Sequence, residues 1–150
     1  MNIKLLVMDV DGTLTDGKIY MSAEGEIMKA FNIKDGYGIA HLKEKGVIPA
    51  IITGRSSEIL ENRCKELGIT ELHQGVEDKL RKLSEVCKIY HVTPEQVAYI
   101  GDDLNDLDCM RVCGYTAAPA DAVEEVRKSV DFVCKHNGGE GAVREFIEHL

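Results

Sequence analysis

The sequence predicts one α/β domain, a Rossmann-like, doubly wound parallel sheet between helical layers, with a β-hairpin inserted after the first strand. Three observations predict it. Apolar runs at residues 3–8, 47–53 and 97–100 read as strands buried on both faces. Capped, amphipathic segments lie between them, the alternation that builds a parallel sheet. The 150 residues suffice for one hydrophobic core and leave no room for a second, so residues 1–150 are read as a single domain.

Taken in order, residues 3–8 form the opening strand, interrupted only by Lys4. Residues 18–21 and 26–33 are short strand-like runs around Ser22-Ala23-Glu24-Gly25, which predicts a hairpin over about 18–33. Following the first strand directly, it should project over the rim where parallel sheets bind ligands. Ile27, Phe31 and Ile33 fall on one of its faces, Met28 and Ala30 on the other. A lone hairpin is marginal in water, so it packs against a partner subunit or folds as a flap on its own domain. Residues 38–45 read as a short helix, 47–53 as the second buried strand, and 58–67 as an amphipathic helix closed by Gly68. Residues 78–90 are helical. Thr93-Pro94-Glu95-Gln96 opens a further helix, with Pro94 in the first position and Gln96 completing a capping box. A third buried strand (97–100), a helix (104–112), a short strand (114–117) and segments at 122–128, 132–134 and 141–149 finish the series.

Composition narrows the classes of function. The net charge of -8, with both signs mixed along the chain, disfavours nucleic acid and anionic membranes as partners, because both are held by clustered Lys and Arg. No apolar run reaches the roughly 18 residues of a membrane span. The first eleven residues pass from a short apolar stretch into acidic residues, unlike a secretory leader, so a cytoplasmic chain is expected. The five cysteines form no CxxC and no Cys/His ligand spacing, which predicts free thiols in a reducing compartment rather than a zinc site.

The chemistry concentrates at strand ends. Asp9-Val10-Asp11-Gly12-Thr13 comes off the first strand, and residues two apart in extended chain face the same way. One carboxylate can attack phosphorus while a neighbour protonates the leaving alkoxide and later activates water. Two acids beside a phosphate repel it unless a cation intervenes, and Mg2+ suits oxygen ligands. Thr53-Gly54-Arg55 ends the second buried strand with a hydroxyl and main-chain N–H groups for phosphate oxygens. Lys79 follows Gln74-Gly75 and can neutralise charge on the attacking Asp and the phosphate. Gly101-Asp102-Asp103-Leu104-Asn105-Asp106 ends the third strand with acids for a magnesium shell or for capping the next helix.

DVDGT, TGR, the lone lysine and GDDLND, in that order and at strand ends, resemble the four motifs of the haloacid dehalogenase superfamily. The resemblance implies Asp9 as nucleophile, Asp11 as general acid/base, and Thr53, Gly54 and Lys79 as phosphate ligands. It implies a metal site of Asp9, Asp11 through its backbone carbonyl, and Asp102, supported from behind by Asp103, Asn105 and Asp106. DVDGTLTDG, FNIKDGYGI, TGRSSEILENRCKELGI, HQG and HNGGEGAVREF are further similar to a capless branch of the superfamily. Members of that branch act on 3-deoxy-2-keto sugar-acid phosphates and form tetramers whose hairpins build a central barrel. The expected substrate is therefore the eight-carbon 3-deoxy-D-manno-octulosonate 8-phosphate, with nine-carbon 9-phosphates as the alternative. Asp35, Gly36, Arg55, Arg63 and Arg144 are candidates for the substrate side. Arg63 would reach a substrate carboxylate across an interface, or would pair with acids one turn away.

Two non-hydrolytic readings stand beside this one. A phospho-receiver also combines a parallel α/β fold with an acidic pair, Thr and Lys, although its phosphorylated Asp ends the third strand. An idle domain regulating a sugar-nucleotide synthetase is the other. The five histidines show no ligand or base spacing and read as structural, with His73 and His136 in loops near the predicted rim.

Overall fold

A computed structural model describes residues 2–150. Six parallel strands form the sheet: β1 (Leu5–Met8), β4 (Ile48–Ile52), β5 (Glu71–His73), β6 (Val97–Ile100), β7 (Tyr115–Ala118) and β8 (Phe132–Val133). Their order is β5-β4-β1-β6-β7-β8. The chain winds one way from β1 through β4 to β5, then returns to place β6 on the other side of β1. Ligands bind beyond the carboxyl ends of strands at such a reversal.

The continuous apolar runs follow from burial on both faces. Leu6 and Met8 point into one cluster with Ile51, Ile100 and Phe146, while Leu5 and Val7 point into the other with Ile52, Tyr99 and Leu83. Each fully buried Leu or Val contributes roughly 1.5–3 kcal/mol. Helices α1 (Ile33–Ala40), α2 (Glu58–Leu67) and α6 (Ala142–Ile147) cover the first face. Helices α3 (Lys79–Tyr90), α4 (Leu107–Val112) and α5 (Glu124–Arg127) cover the second. Pro49 is accommodated inside β4 because Ile48 donates towards β1, to the Lys4 carbonyl, while β5 first pairs at Ala50.

The hairpin forms a separate antiparallel pair, β2 (Tyr20–Ser22) and β3 (Gly25–Met28), with Ser22 opposite Gly25. Its second arm ends at Met28 rather than at 33, and Ile33 opens α1. Asn32 makes the difference, since its side chain accepts from Lys34 N at 2.8 Å and Asp35 N at 3.1 Å, a helix N-cap. The helix expected over 38–45 therefore begins five residues earlier and gives way to a tight 3-10 turn over Leu42–Lys45. Gly36 and Gly38 weaken the helical pattern in the sequence but allow close packing: a Cβ on either would press on Arg63 or on Arg144 and Ile147. Met21, Ile27 and Met28 are 61%, 58% and 51% exposed, so both hairpin faces present apolar groups.

Strand β5, with Leu72 its one apolar residue, had no sequence expectation. The helix expected over 104–112 opens with a 3-10 turn, Leu104–Asp106, fixed by a capping box between Asp103 and Asp106. Pro94–Gln96 likewise forms only a 3-10 turn, its capping box intact. No helix among the described residues is long and apolar enough to cross a membrane.

Candidate active site

Met8 ends β1, and Asp9 prolongs the ladder by one bond, its N–H donating to the Ile100 carbonyl at 3.1 Å. The Asp9 side chain, 9% exposed, then faces a charge relay at the carboxyl edge of the sheet. Lys79 Nζ donates to Asp9 Oδ1 at 3.0 Å and to Asp106 Oδ1 at 2.9 Å. The Tyr99 hydroxyl donates to the same Asp106 oxygen at 2.6 Å. Asp106 Oδ2 accepts from the main-chain N–H groups of Asp102 and Asp103 at 3.1 and 3.2 Å. Lys79 sits in the first turn of α3, where the helix dipole disfavours a cation. Its two carboxylate partners, not the helix, explain its place.

Asp102 reaches the same point from the end of β6, and Thr13 Oγ1 donates to its Oδ1 at 3.3 Å. One carboxylate oxygen from each of Asp9, Asp102 and Asp106 lies within 4.8 Å of the others. Lys79 pairs with two of these three carboxylates and leaves Asp102 without a cation partner among the described residues. Burial, then the neighbouring Asp9 charge, pushes the Asp102 carboxyl up to about 8. Burial and Asp106 also raise Asp9, against the pull of Lys79. Burial pulls the Lys79 ammonium down, but Asp9 and Asp106 more than offset it and keep it charged. Excess negative charge on hard oxygen donors fits a small divalent cation. Asp106 is already saturated by four donors, which leaves Asp9 and Asp102 as the side chains with capacity to spare.

Gly12 permits this approach. Its φ is +88°, and a Cβ there would collide with the Asp102 carboxylate. The same loop is braced from far along the chain: Gly139 N–H donates to the Thr13 carbonyl at 3.1 Å, and a Cβ on Gly138 would strike the Gly12 carbonyl.

Across the cleft, Thr53 and Gly54 leave β4, with the Thr53 N–H held by the His73 carbonyl at 3.0 Å. Gln74 fixes the following loop by accepting from Ser57 N at 2.7 Å. The cleft, about 190 Å³, is lined by Asp9, Asp11, Thr53, Gly54, Arg55, Asp102, Asp103 and Asn105. Asp11 turns its Oδ1 to Lys29 Nζ at 2.9 Å and its Oδ2 to Arg55 Nε at 3.8 Å.

The structure therefore brings together Asp9, Asp11, Thr53, Gly54, Arg55, Lys79, Asp102, Asp103, Asn105 and Asp106. It places the other four substrate-side candidates elsewhere. Asp35 is buried, accepting from Arg144 N at 2.9 Å. Gly36 packs against Arg63, whose guanidinium lies 5.5 Å from the Phe31 ring centroid and 3.2 Å from Glu66. Arg144 covers Tyr37 and pairs with Glu148 at 2.7 Å. A larger cavity of about 600 Å³ between α1 and α6 includes Arg144 but none of the acids of the cleft. His73 pairs with Glu71 and His136 with Glu145.

Four contributors had no sequence expectation of a role: Thr13, Tyr99, Lys29 and Glu26, whose Oε2 accepts from Lys29 Nζ at 2.9 Å. Tyr99 reads as an ordinary buried strand residue. Glu26 and Lys29 lie on an arm whose apolar residues dominate the pattern; the need of Asp11 for a counter-charge is the signal that points to Lys29.

Comparison with known proteins shows the family. A family described as haloacid dehalogenase-like hydrolase matches residues 72–147. The 3-deoxy-D-manno-octulosonate 8-phosphate phosphatase of Escherichia coli is 47% identical over 149 residues, covering 99% of this chain and 79% of the relative. The Moraxella catarrhalis enzyme of that name, solved with magnesium, phosphate and KDO, superimposes with a TM-score of 0.94 at 45% identity, over 99% of this chain and 85% of that one. The cobalt-bound Haemophilus influenzae phosphatase gives a TM-score of 0.96 at 42% identity, over 99% and 86%.

Proposed function

Because this chain belongs to the haloacid dehalogenase-like hydrolases, we propose that it is a phosphatase releasing phosphate from 3-deoxy-D-manno-octulosonate 8-phosphate. The observation that carries the proposal is the Asp9–Lys79 contact at the sheet reversal, with Asp9 lining a cleft that also holds Asp11, Thr53 and Asp102.

Asp9 is the nucleophile. Its carboxylate oxygen bonds to phosphorus as the bond from phosphorus to the sugar oxygen breaks, and Asp11 gives that oxygen its proton. Water then attacks the phosphoaspartate, Asp11 takes the proton, and inorganic phosphate leaves with Asp9 restored. Thr53 Oγ1, the Gly54 N–H and the Lys79 ammonium hold the phosphate oxygens. Asp9, the Asp11 main-chain carbonyl and Asp102 hold Mg2+, which when bound shields the attacking carboxylate from the phosphate charge. Asp103, Asn105 and Asp106 support that shell through the turn, with Asp106 fixing Lys79. Arg55 at the rim meets the sugar acid.

Residues 1–150 act as one catalytic domain, and four copies assemble through their hairpins. The exposed Met21, Ile27 and Met28 support that assembly, since a lone two-stranded hairpin is marginal in water. In a tetramer, Arg63 and Arg144 would serve a neighbouring cleft.

A panel of phosphate esters with magnesium tests the substrate. A clear preference in kcat/KM for the eight-carbon sugar-acid phosphate is expected, and comparable values across unrelated esters would sink the assignment. Light scattering tests the assembly, with Ile27→Asp expected to yield smaller species.

A further inference from the structure

The carboxyl group assigned above as the proton donor is gripped from outside the parallel sheet. Lys29 lies just past the end of β3, and its side chain is 4% exposed, a degree of burial that lysines reach almost only when paired. Nζ donates to Asp11 Oδ1 and to Glu26 Oε2, each at 2.9 Å. Arg55 closes the ring, 3.8 Å from both Asp11 Oδ2 and Glu26 Oε2. Two cations thus face two carboxylates. Burial pulls the Lys29 ammonium down, and its bonds to Asp11 and Glu26 outweigh that and keep it charged. The contacts on Asp11 are unequal: Oδ1 is anchored at hydrogen-bond length, whereas Oδ2 lies beyond that length from Arg55 and faces the cleft side of the ring.

We propose that Lys29 is a positioning residue that holds the Asp11 carboxyl in the orientation from which Oδ2 serves the leaving oxygen of the substrate. The inference rests on Asp11 being the acid/base of the proposed reaction. A carboxylate on a loop has several rotamers, and a displacement of about 1 Å at a reacting group costs on the order of 100-fold in rate. Lys29 selects one rotamer, Glu26 fixes Lys29, and both ride on the hairpin. Ile27 and Met28, exposed between them, are the groups that a second copy of the chain would cover. Seating the hairpin therefore also sets the geometry of the acid.

The test separates esters by their need for a proton. A sugar alkoxide must be protonated as it leaves, whereas p-nitrophenolate leaves without a proton. Lys29→Met should lower kcat/KM for 3-deoxy-D-manno-octulosonate 8-phosphate by roughly 100-fold. The loss on p-nitrophenyl phosphate should be smaller by about tenfold, and Lys29→Arg should restore most of the difference. Lys29→Gln, which keeps a hydrogen-bond donor, provides the same comparison if Lys29→Met melts early. Equal losses on the two esters, or no loss on either, would overturn the role of Lys29. Failure of the underlying reading looks different: Asp9→Asn would then leave p-nitrophenyl phosphate hydrolysis untouched, whatever Lys29 does.

Discussion

Lys79 Nζ stands 3.0 Å from Asp9 Oδ1, with the two side chains only 3% and 9% exposed. An ammonium so enclosed orients the Asp9 carboxylate and tempers its repulsion with Asp106. Lys79→Met should reduce kcat by about 100- to 1,000-fold, the scale for loss of one preorganised electrostatic group. Because the variant leaves buried charge unpaired, it should also destabilise the fold by roughly 3–5 kcal/mol. Steady-state kinetics and a urea melt check the two effects separately.

Asp9→Asn should abolish turnover, since an amide does not form the acyl phosphate, while circular dichroism stays that of the parent. Asp11→Asn should phosphorylate slowly and dephosphorylate more slowly still. Intact-mass spectrometry after mixing with substrate would then reveal phosphoenzyme. Full activity in Asp9→Asn would refute the nucleophile.

Tyr99→Phe deletes one donor to Asp106 and leaves Lys79 and two main-chain N–H groups in place. The expected cost is about 1.5–3 kcal/mol of stability, the scale of one buried hydrogen bond to a charged group. If Tyr99 also steadies Lys79 through Asp106, kcat falls with little change in KM. Thermal melts and kinetics on the same preparation measure both.

Without divalent metal, stability should decline as pH rises. The Asp102 carboxyl titrates near 8 in the folded chain and near 3.9 when unfolded. Between those values the folded state holds a proton that the unfolded state has lost. The contribution is thus fully present in acid and disappears as pH climbs to about 8, with a slope of at most about 1.4 kcal/mol per pH unit. Magnesium, occupying the place of that proton, should raise Tm most at alkaline pH and flatten the dependence. Asp102→Asn should abolish the magnesium-induced shift. Melting curves across pH, with metal and with chelator, decide it.

Much of this architecture was legible because each buried strand announces itself as an apolar run and ends in polar residues that have no packing role. Asp9, Thr53 and Asp102 were found that way. Helix α2 was readable to its last residue because Gly68 supplies the left-handed cap. Helix α1 was not, because its glycines look like breaks until α2 and α6 are seen pressed against them. Strand β5 escaped for a different reason: three half-buried edge residues carry too little pattern. Asp35, Arg63 and Arg144 carry charges that suggest ligand contacts, whereas within one chain they join α1, α2 and α6. Tyr99 and Lys29 show the limit from the other direction. Their importance lies in which oxygen they touch, and that depends on contacts distant in sequence.

The brace of Gly138 and Gly139 on the loop holding Gly12 and Thr13 ties the cleft to a contact remote in sequence. Closing so long a loop is entropically demanding and slow. A folding chain in which that contact has not yet formed should carry every strand-end motif and still lack the seating of Gly12 against Asp102, so the cleft is completed only when the tertiary fold is.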